Sequence, residues 1–208
     1  MKRLFLLPLL AGALLLTSCL GSSIHTTFKA DGSGTVVMEF KISQMFYQMG
    51  AGDSEGASAV PLSAEQIREE LGNQEGVTLR EVTEEPGEEF TIIRAVMDFE
   101  NYAVMSTADM LDGSVLTKNG NTWTYRQVIA EASEPSEESE PMDEEQLAMM
   151  APYFDGYEIR FTVTAPRKVK SYSLGELSAD GKTVSWAVPT LEMNTLQNTE
   201  DLVMEITW

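Results

Sequence analysis

The sequence predicts an α+β domain built on a mainly antiparallel, strongly curved or barrel-like sheet of about eight or nine strands, with two or three short helices. Three observations lead to this prediction. Apolar and polar residues alternate in several short runs, which is typical of half-buried strands. Glycine-containing turn sequences separate these runs. A chain of 208 residues with 43% hydrophobic residues is large enough for one packed core, so we expect a single domain over residues 24–208.

The charge balance limits the classes of partner. The chain carries 14 Lys and Arg against 33 Asp and Glu, a net charge of −19. Nucleic acid is not expected as a partner, because binding it requires clustered cations that neutralise phosphates. The single cysteine excludes an internal disulfide, and with the single histidine it leaves too few ligands for a zinc cluster. We therefore expect neither a metal nor a cofactor.

The N-terminus has the pattern of a secretory signal. Lys2 and Arg3 precede an apolar run over residues 4–16, which is too short for a membrane-spanning helix of about 20 residues. Leu16-Thr17-Ser18-Cys19 then resembles the lipobox of bacterial lipoproteins. The resemblance implies that residues 1–18 are removed and that Cys19 receives diacylglycerol. The alternative is a secreted protein in which a cysteine follows Ser18 by chance.

A lipidated Cys19 would place the protein on the extracytoplasmic side of the cell envelope. Several acyl chains on one N-terminus anchor a protein stably, and palmitate is a suitable label for them. Residues 19–23 would then form a short tether between the membrane and the domain. Whether the anchor lies in the cell membrane or in an outer membrane stays open.

The first predicted elements are a hairpin and a helix. Residues 24–30 and 35–42 flank an Asp31-Gly32-Ser33-Gly34 turn, and alternation in the second run predicts a half-buried strand. Residues 50–62, rich in glycine, alanine and serine, are interpreted as a loop. Ser63 and Gln66 then have the spacing of a capping box, which predicts a helix that ends at Gly72.

A second hairpin is predicted over residues 77–99. The runs 77–83 and 89–99 flank a Glu-Glu-Pro-Gly turn at 84–87. The second run is apolar at both odd and even positions. We therefore expect it in the middle of the sheet, with cover on both faces.

The middle of the chain contains a third hairpin and an acidic run. Asn119-Gly120 is typical of a type I′ turn and joins strands predicted at 114–117 and 122–129. Residues 131–145 contain eight acidic residues, two prolines and no basic residue. Such a segment cannot bury enough apolar surface to offset the entropy of ordering it, so we predict a disordered insertion. A helix is expected from there to about Met150, with acidic residues at its N-terminus.

The remaining residues are predicted to be mainly strands. Residues 157–165 alternate strictly and end before Pro166, which cannot donate to a ladder. Residues 168–174 and 183–188 flank a glycine-containing turn and are interpreted as a pair. Residues 202–208 alternate to the last position and form a closing strand.

These C-terminal elements resemble the LppM-type lipoprotein domain. The resemblance rests on the strand 157–165 with Pro166, on Val169, and on the run Thr183-Val184-Ser185-Trp186-Ala187-Val188-Pro189 after a glycine-bounded turn. The hairpin at 31–34 and the strand after it are also similar. As an order of elements the resemblance covers roughly residues 24–208. It implies a β-rich, membrane-anchored envelope protein that binds a lipid or glycolipid, and it supplies no catalytic motif.

Other chemistries find less support in the residues. His25 lies on the polar side of the first strand, where a solvated side chain is expected rather than a ligand or a general base. Gly32-Ser33-Gly34 precedes a strand, whereas phosphate-binding loops precede a helix. The acidic runs lack the spaced oxygen ligands of a calcium loop. The twelve methionines would suit Cu(I), but they also suit helix cores or an adaptable apolar surface.

Two classes of function follow, and no enzymatic activity is expected. In the first, the domain binds a lipid or other apolar ligand between the sheet and its helices. The residues predicted to line that site are Phe90, Ile92, Trp123, Tyr125, Phe161 and Trp186. In the second, the outer surface docks another envelope protein without a small-molecule ligand. A dry cavity between the sheet and the helices would favour the first class.

Overall fold

The computed structural model describes residues 20–44, 63–105, 111, 113–132, 144–195 and 200–208. Residues 1–19 and the core of the predicted acidic insertion, 133–143, lie outside this range. The strands of the described residues are β1 (Leu20–Phe28), β2 (Gly34–Ser43), β3 (Val77–Pro86), β4 (Phe90–Phe99), β5 (Ser114–Asn119), β6 (Thr122–Ala130), β7 (Glu158–Thr164), β8 (Ser171–Tyr172), β9 (Glu176–Leu177), β10 (Thr183–Pro189) and β11 (Leu202–Thr207). The helices are α1 (Ala64–Leu71), α2 (Tyr102–Met105), α3 (Glu144–Phe154) and α4 (Thr190–Thr195).

The strands form two open sheets. The larger sheet has seven strands in the order β3-β4-β2-β1-β7-β10-β9, and the smaller has four in the order β5-β6-β11-β8. The prediction of mainly antiparallel pairing is confirmed, with β1 and β7 as a parallel pair. The prediction of one barrel-like sheet with eight or nine strands is wrong. Alternation in a sequence identifies a strand but not its partner, and β6 pairs with the C-terminal β11 instead of extending the larger sheet.

The first hairpin forms as predicted and begins earlier than predicted. Its ladder runs from Leu20 opposite Ile42 to Phe28 opposite Gly34. Residues 20–23, assigned above to a tether, therefore belong to β1. The physical reason is that β2 offers backbone partners to the whole length of this segment, and a strand continues for as long as its polar groups are paired.

The helix α1 and the strand β4 occupy their predicted positions. Ser63 Oγ accepts a hydrogen bond from Gln66 N at 3.2 Å, which confirms the predicted N-cap. Ile67 and Leu71 are buried on the inner side of α1. β4 lies between β3 and β2, and along it buried residues alternate with half-buried ones. We call the face of the larger sheet that carries the buried residues the inner face and the opposite one the outer face.

The C-terminal elements differ from the prediction in their partners. Residues 168–174 and 183–188 do not pair with each other: β8 pairs with β11, whereas β10 pairs with β7 and with the short β9. The main chain at Lys170 is drawn to the smaller sheet because its N–H donates to Thr207 O at 2.7 Å. α3 runs four residues beyond Met150, and the short helices α2 and α4 were not predicted.

The two sheets pack together through an aromatic cluster at one end of the larger sheet. The ring centroid of Phe28 lies 5.2 Å from those of Tyr102 and Trp208, 5.6 Å from that of Tyr125 and 5.8 Å from that of Phe99. All five side chains are at most 2% exposed. Each such ring removes enough apolar surface from water to stabilise the fold by about 1.5–3 kcal/mol. In the described part of the chain, every helix is too short or too polar to cross a membrane.

Candidate functional site

The six residues predicted to line one apolar site lie in three separate places. Phe90 and Ile92 are on the outer face of the larger sheet, Phe161 and Trp186 are on its inner face, and Trp123 and Tyr125 are on β6 of the smaller sheet. Side chains on opposite faces of a sheet cannot contact one ligand. The structure therefore brings the six together in pairs only.

The pair on the outer face lies where β4 begins. Phe90 and Ile92 are half-buried there. The ammonium group of Lys41 lies 4.4 Å from the ring centroid of Phe90 and 4.8 Å from that of Tyr157, and it donates a hydrogen bond to Gly156 O at 3.2 Å. This corner of the sheet therefore combines a cation with two aromatic rings on a partly exposed surface.

The pair on the inner face occupies neighbouring strands. Phe161 on β7 and Trp186 on β10 are directly opposite in register, and their ring centroids are 6.4 Å apart. Both side chains are half-buried and pack against the edge of the core. Together they present an apolar surface continuous with the core.

Tyr125 belongs to the core rather than to a binding surface. Its hydroxyl donates to Gln127 Oε1 at 3.0 Å and lies 3.3 Å from the hydroxyl of Tyr102, which is itself 3.0 Å from Ser114 Oγ. Burial raises the pKa of both tyrosines, and that of Tyr125 well above its usual value. A buried hydrogen-bonded network of this kind fixes how the smaller sheet sits on the larger one.

Trp123 borders a cleft that was not predicted from the sequence. The cleft has a volume of about 190 Å³, and its lining includes Ala30, Lys118, Asn121, Trp123, Arg167 and Trp208. It lies between the β1–β2 turn, the β5–β6 turn and the loop after β7. We call it the cationic cleft, because one ammonium and one guanidinium group lie on its wall.

The two cations of the cleft are held in place by their neighbours. Lys118 Nζ lies 4.8 Å from the ring centroid of Trp123. Arg167 donates to the main-chain oxygen of Trp208 at 3.0 Å and to that of Asn121. The indole nitrogen of Trp208 is buried and has no hydrogen-bond partner among the described residues. The cleft is suited to one phosphate or carboxylate group.

His25 does not take part in the cleft. Its Nε2 lies 2.9 Å from Thr164 Oγ1 and 3.5 Å from Thr27 Oγ1 on the outer face. Burial lowers the pKa of this imidazole. His25 is thus half-buried and hydrogen-bonded to hydroxyl groups rather than fully solvated. No group of three or more acidic, histidine or cysteine side chains in the described ranges is arranged to hold a metal ion.

The cleft could not be predicted from the sequence because its residues come from four distant segments. Lys118, Arg167 and Trp208 are each unremarkable in the sequence, and only the packing of the two sheets brings them together. A usable signal was present: Lys118, Arg167 and Lys182 lie in or beside predicted turns, and turns at the same end of a domain can share one surface.

Comparison with known proteins gives a similarity in structure. No family model matches the sequence, and no curated protein is significantly similar to it. Among solved structures, the NMR structure of the folded domain of LppM from Mycobacterium tuberculosis is similar, with a TM-score of 0.49 and 13% sequence identity. The similarity covers 91% of this chain and 89% of that one. At this identity the likeness concerns the arrangement of the chain, and no residue role is transferred.

Proposed function

We propose that this protein is a non-enzymatic envelope lipoprotein, anchored through diacylglycerol on Cys19, whose β domain binds a partner outside the cytoplasm. The observation that carries the proposal is the start of β1: Leu20, the residue after Cys19, is already paired with Ile42. One residue of extended chain spans about 3.3 Å. An anchor on Cys19 would therefore hold this end of the larger sheet, which we call the anchor end, directly at the membrane surface.

Side chains suited to a membrane surface lie at the anchor end. Lys41 with Phe90 and Tyr157 combines a cation and two partly exposed aromatic rings. Met149 on α3 is 70% exposed, and α3 leads through a short turn into the beginning of β7, beside β1. Amphipathic and apolar groups of this kind favour the boundary between headgroups and acyl chains. They support an orientation in which the domain rests on the membrane.

Substitution of the anchor residue tests the proposal. Cys19→Ala should abolish metabolic labelling with palmitate and move the protein from the membrane fraction to the soluble fraction, because the acyl chains supply the membrane affinity. Ser18→Ala is the matched control, since it keeps a small residue before the cysteine and should leave both labelling and membrane association intact. Unchanged membrane association of Cys19→Ala would exclude lipid anchoring at this residue.

Binding of an apolar ligand is the second candidate for the role of the domain. It is favoured by the half-buried Phe161 and Trp186, which continue the core at the inner face of β7 and β10. An acyl chain packed there would contribute about 0.8 kcal/mol per buried CH₂ group. Two observations disfavour an apolar ligand. The six residues predicted to bind it lie in three separate places, and the cleft described above is lined by cations. Docking to another envelope component is therefore the role that the geometry favours.

Lipid titration separates the two roles. If the domain binds a lipid at Phe161 and Trp186, envelope phospholipids or glycolipids should raise the melting temperature with concentration and shift the tryptophan emission to the blue. Trp186→Phe should remove most of the emission shift, whereas Trp123→Phe should retain it. Native mass spectrometry of protein purified from its own envelope would detect a lipid that co-purifies. If neither a thermal shift nor a bound lipid is observed, docking remains as the role.

A further inference from the structure

Six of the lysines and arginines meet at the end of the domain opposite the anchor end. They lie in four loops, 29–33, 118–121, 166–170 and 178–182, and all six side chains are exposed. These residues are Lys29, Lys118, Arg167, Lys168, Lys170 and Lys182. We call this surface the basic end. The same loops contain two acidic side chains, Asp31 and Asp180, so cations are in clear excess in a protein whose net charge is −19.

Contacts between the loops make the basic end one surface. Lys170 Nζ donates to Thr122 Oγ1 at 2.9 Å, which ties the loop after β7 to the β5–β6 hairpin. Val169 N donates to Gly181 O at 2.8 Å, which ties the same loop to the turn before β10. The β1–β2 turn joins through the cationic cleft, where Ala30 faces Arg167 and Lys118. Every loop is therefore fixed to at least one other.

The two acidic side chains of these four loops are committed to their own turns. Asp31 Oδ1 accepts from Ser33 N at 3.0 Å and from Ser33 Oγ at 2.7 Å. Asp180 Oδ1 accepts from Ser178 Oγ at 2.6 Å and from Lys182 N at 3.0 Å. The ion pairs found in the described residues, Arg80–Asp98, Arg94–Glu81 and Arg160–Glu158, lie elsewhere on the larger sheet. The lysines of the basic end thus keep charge available for a ligand.

Acidic side chains at the anchor end disfavour an anionic ligand there. The last residues of β3 and the β3–β4 turn, both at the anchor end, carry Glu84, Glu85, Glu88 and Glu89. Between the two ends β1 has nine residues, which corresponds to about 30 Å. That separation exceeds the screening length of about 8 Å at physiological ionic strength, so each end presents its own potential.

From these observations we infer that the basic end binds a linear polyanion other than a polypeptide, a polymer that carries phosphate or carboxylate groups. The cationic cleft holds one anionic group between Lys118 and Arg167, and the remaining lysines contact neighbouring groups along the chain. A polymer fits better than a single small anion because the cations extend over four loops rather than converging on one point. β1 begins with Leu20 at the opposite end, so an anchor on Cys19, as in the proposed function, would leave this site facing away from the membrane.

Binding of defined polymers to the whole protein, purified from its own cells and kept in a non-ionic detergent, tests the inference. Inorganic polyphosphate and polygalacturonate are the phosphate and carboxylate probes, and titration calorimetry at two salt concentrations gives affinity and salt dependence. At least one polymer should bind, and binding should weaken as salt rises, because counterions are released on association. The polymer that binds more tightly shows whether the site prefers phosphate or carboxylate groups. Poly-glutamate is included to represent an acidic protein partner.

Two triple variants of equal charge change distinguish a site from a net-charge effect. Lys29→Gln, Lys168→Gln and Lys182→Gln together should weaken binding at least about tenfold and reduce its salt dependence. The control combines Arg80→Gln, Arg94→Gln and Arg160→Gln on the outer face and should change the affinity by less than about twofold. The inference would be overturned if both variants lost the same affinity, or if neither polyphosphate nor polygalacturonate bound. It would also be overturned if poly-glutamate bound more tightly than both of these polymers. None of these results depends on the membrane anchor, so lipidation and polyanion binding are tested independently.

Discussion

Gly32 lies directly against the ring of Trp123: a Cβ atom at this glycine would stand 2.7 Å from Trp123 Cη2. The contact joins the β1–β2 turn of the larger sheet to β6 of the smaller one, at the border of the cationic cleft. Gly32 also has a φ of +92°, a backbone conformation that residues with a side chain rarely adopt. Two independent physical reasons therefore require glycine at this position.

Gly32→Ala should lower the free energy of unfolding by about 2 kcal/mol or more, since it combines backbone strain with a collision against a packed ring. Gly120→Ala is the matched control: its φ is +58°, yet no atom lies within 4 Å of the added methyl group. In that variant only backbone strain should lower the free energy of unfolding, by about 1 kcal/mol. Urea denaturation of both variants measures the difference. Equal losses would mean that the two sheets are free to separate at Trp123.

The buried tyrosine hydroxyls should make the protein sensitive to alkaline pH. Burial raises the pKa of Tyr102 and of Tyr125 in the folded state, whereas both titrate near pH 10 in the unfolded chain. As the pH rises above about 10, the unfolded state loses protons that the folded state retains, and the free energy of unfolding falls. Denaturation curves between pH 8 and 11.5 measure this decline.

Replacement of one hydroxyl should reduce that alkaline decline. Tyr125→Phe removes a titrating group and should flatten the pH dependence, while costing about 1–2 kcal/mol at neutral pH because Gln127 and Tyr102 lose a partner. Tyr172→Phe, on the exposed β8, should leave the decline as steep as in the unmodified protein. A decline that Tyr125→Phe does not alter would show that other groups cause it.

His25 should make the protein less stable in mildly acidic solution. Burial lowers its pKa in the folded state. Below about pH 6.5, the usual pKa of histidine, the unfolded chain therefore binds a proton more readily than the folded chain does. The stability conferred by the neutral ring is therefore present above that pH and is lost as the pH falls through the folded pKa. His25→Gln should remove this component, as measured by denaturation at pH 7.5 and pH 5.5. An identical pH dependence in that variant would contradict the assignment.

The acidic insertion should be dispensable for stability. Its residues 133–143 lie outside the described range, but Ala132 N donates to Asp201 Oδ1 at 3.0 Å on one side and α3 begins at Glu144 on the other. Replacing residues 133–141 with a short Gly-Ser linker should leave the melting temperature nearly unchanged, because loop closure changes by only about 0.6 kcal/mol per doubling of length. A loss of more than roughly 2 kcal/mol would mean that this segment packs against the fold.

The amino-acid sequence by itself determined the local elements of this protein. The alternation in β2 placed Val36, Met38, Phe40 and Ile42 on the buried face, and the spacing of Ser63 and Gln66 fixed the start of α1. Asn119-Gly120 gave the β5–β6 turn, in which Gly120 has the positive φ that such a turn requires. These features depend on residues within one or two turns of each other, so periodicity and capping rules are sufficient to find them.

Only the tertiary structure decided which strands pair and which side chains meet. Tyr125 was predicted to face a ligand and is buried against Phe28 instead, because the smaller sheet turns that face of β6 toward the core. Phe90 and Phe161 were placed in one site and lie on opposite faces of the larger sheet. Lys118 and Arg167, 49 positions apart in the sequence, share a cleft because β6 pairs with β11 and draws the loop after β7 toward the β5–β6 turn. Contacts between distant segments depend on strand partners, and alternation alone carries no information about partners.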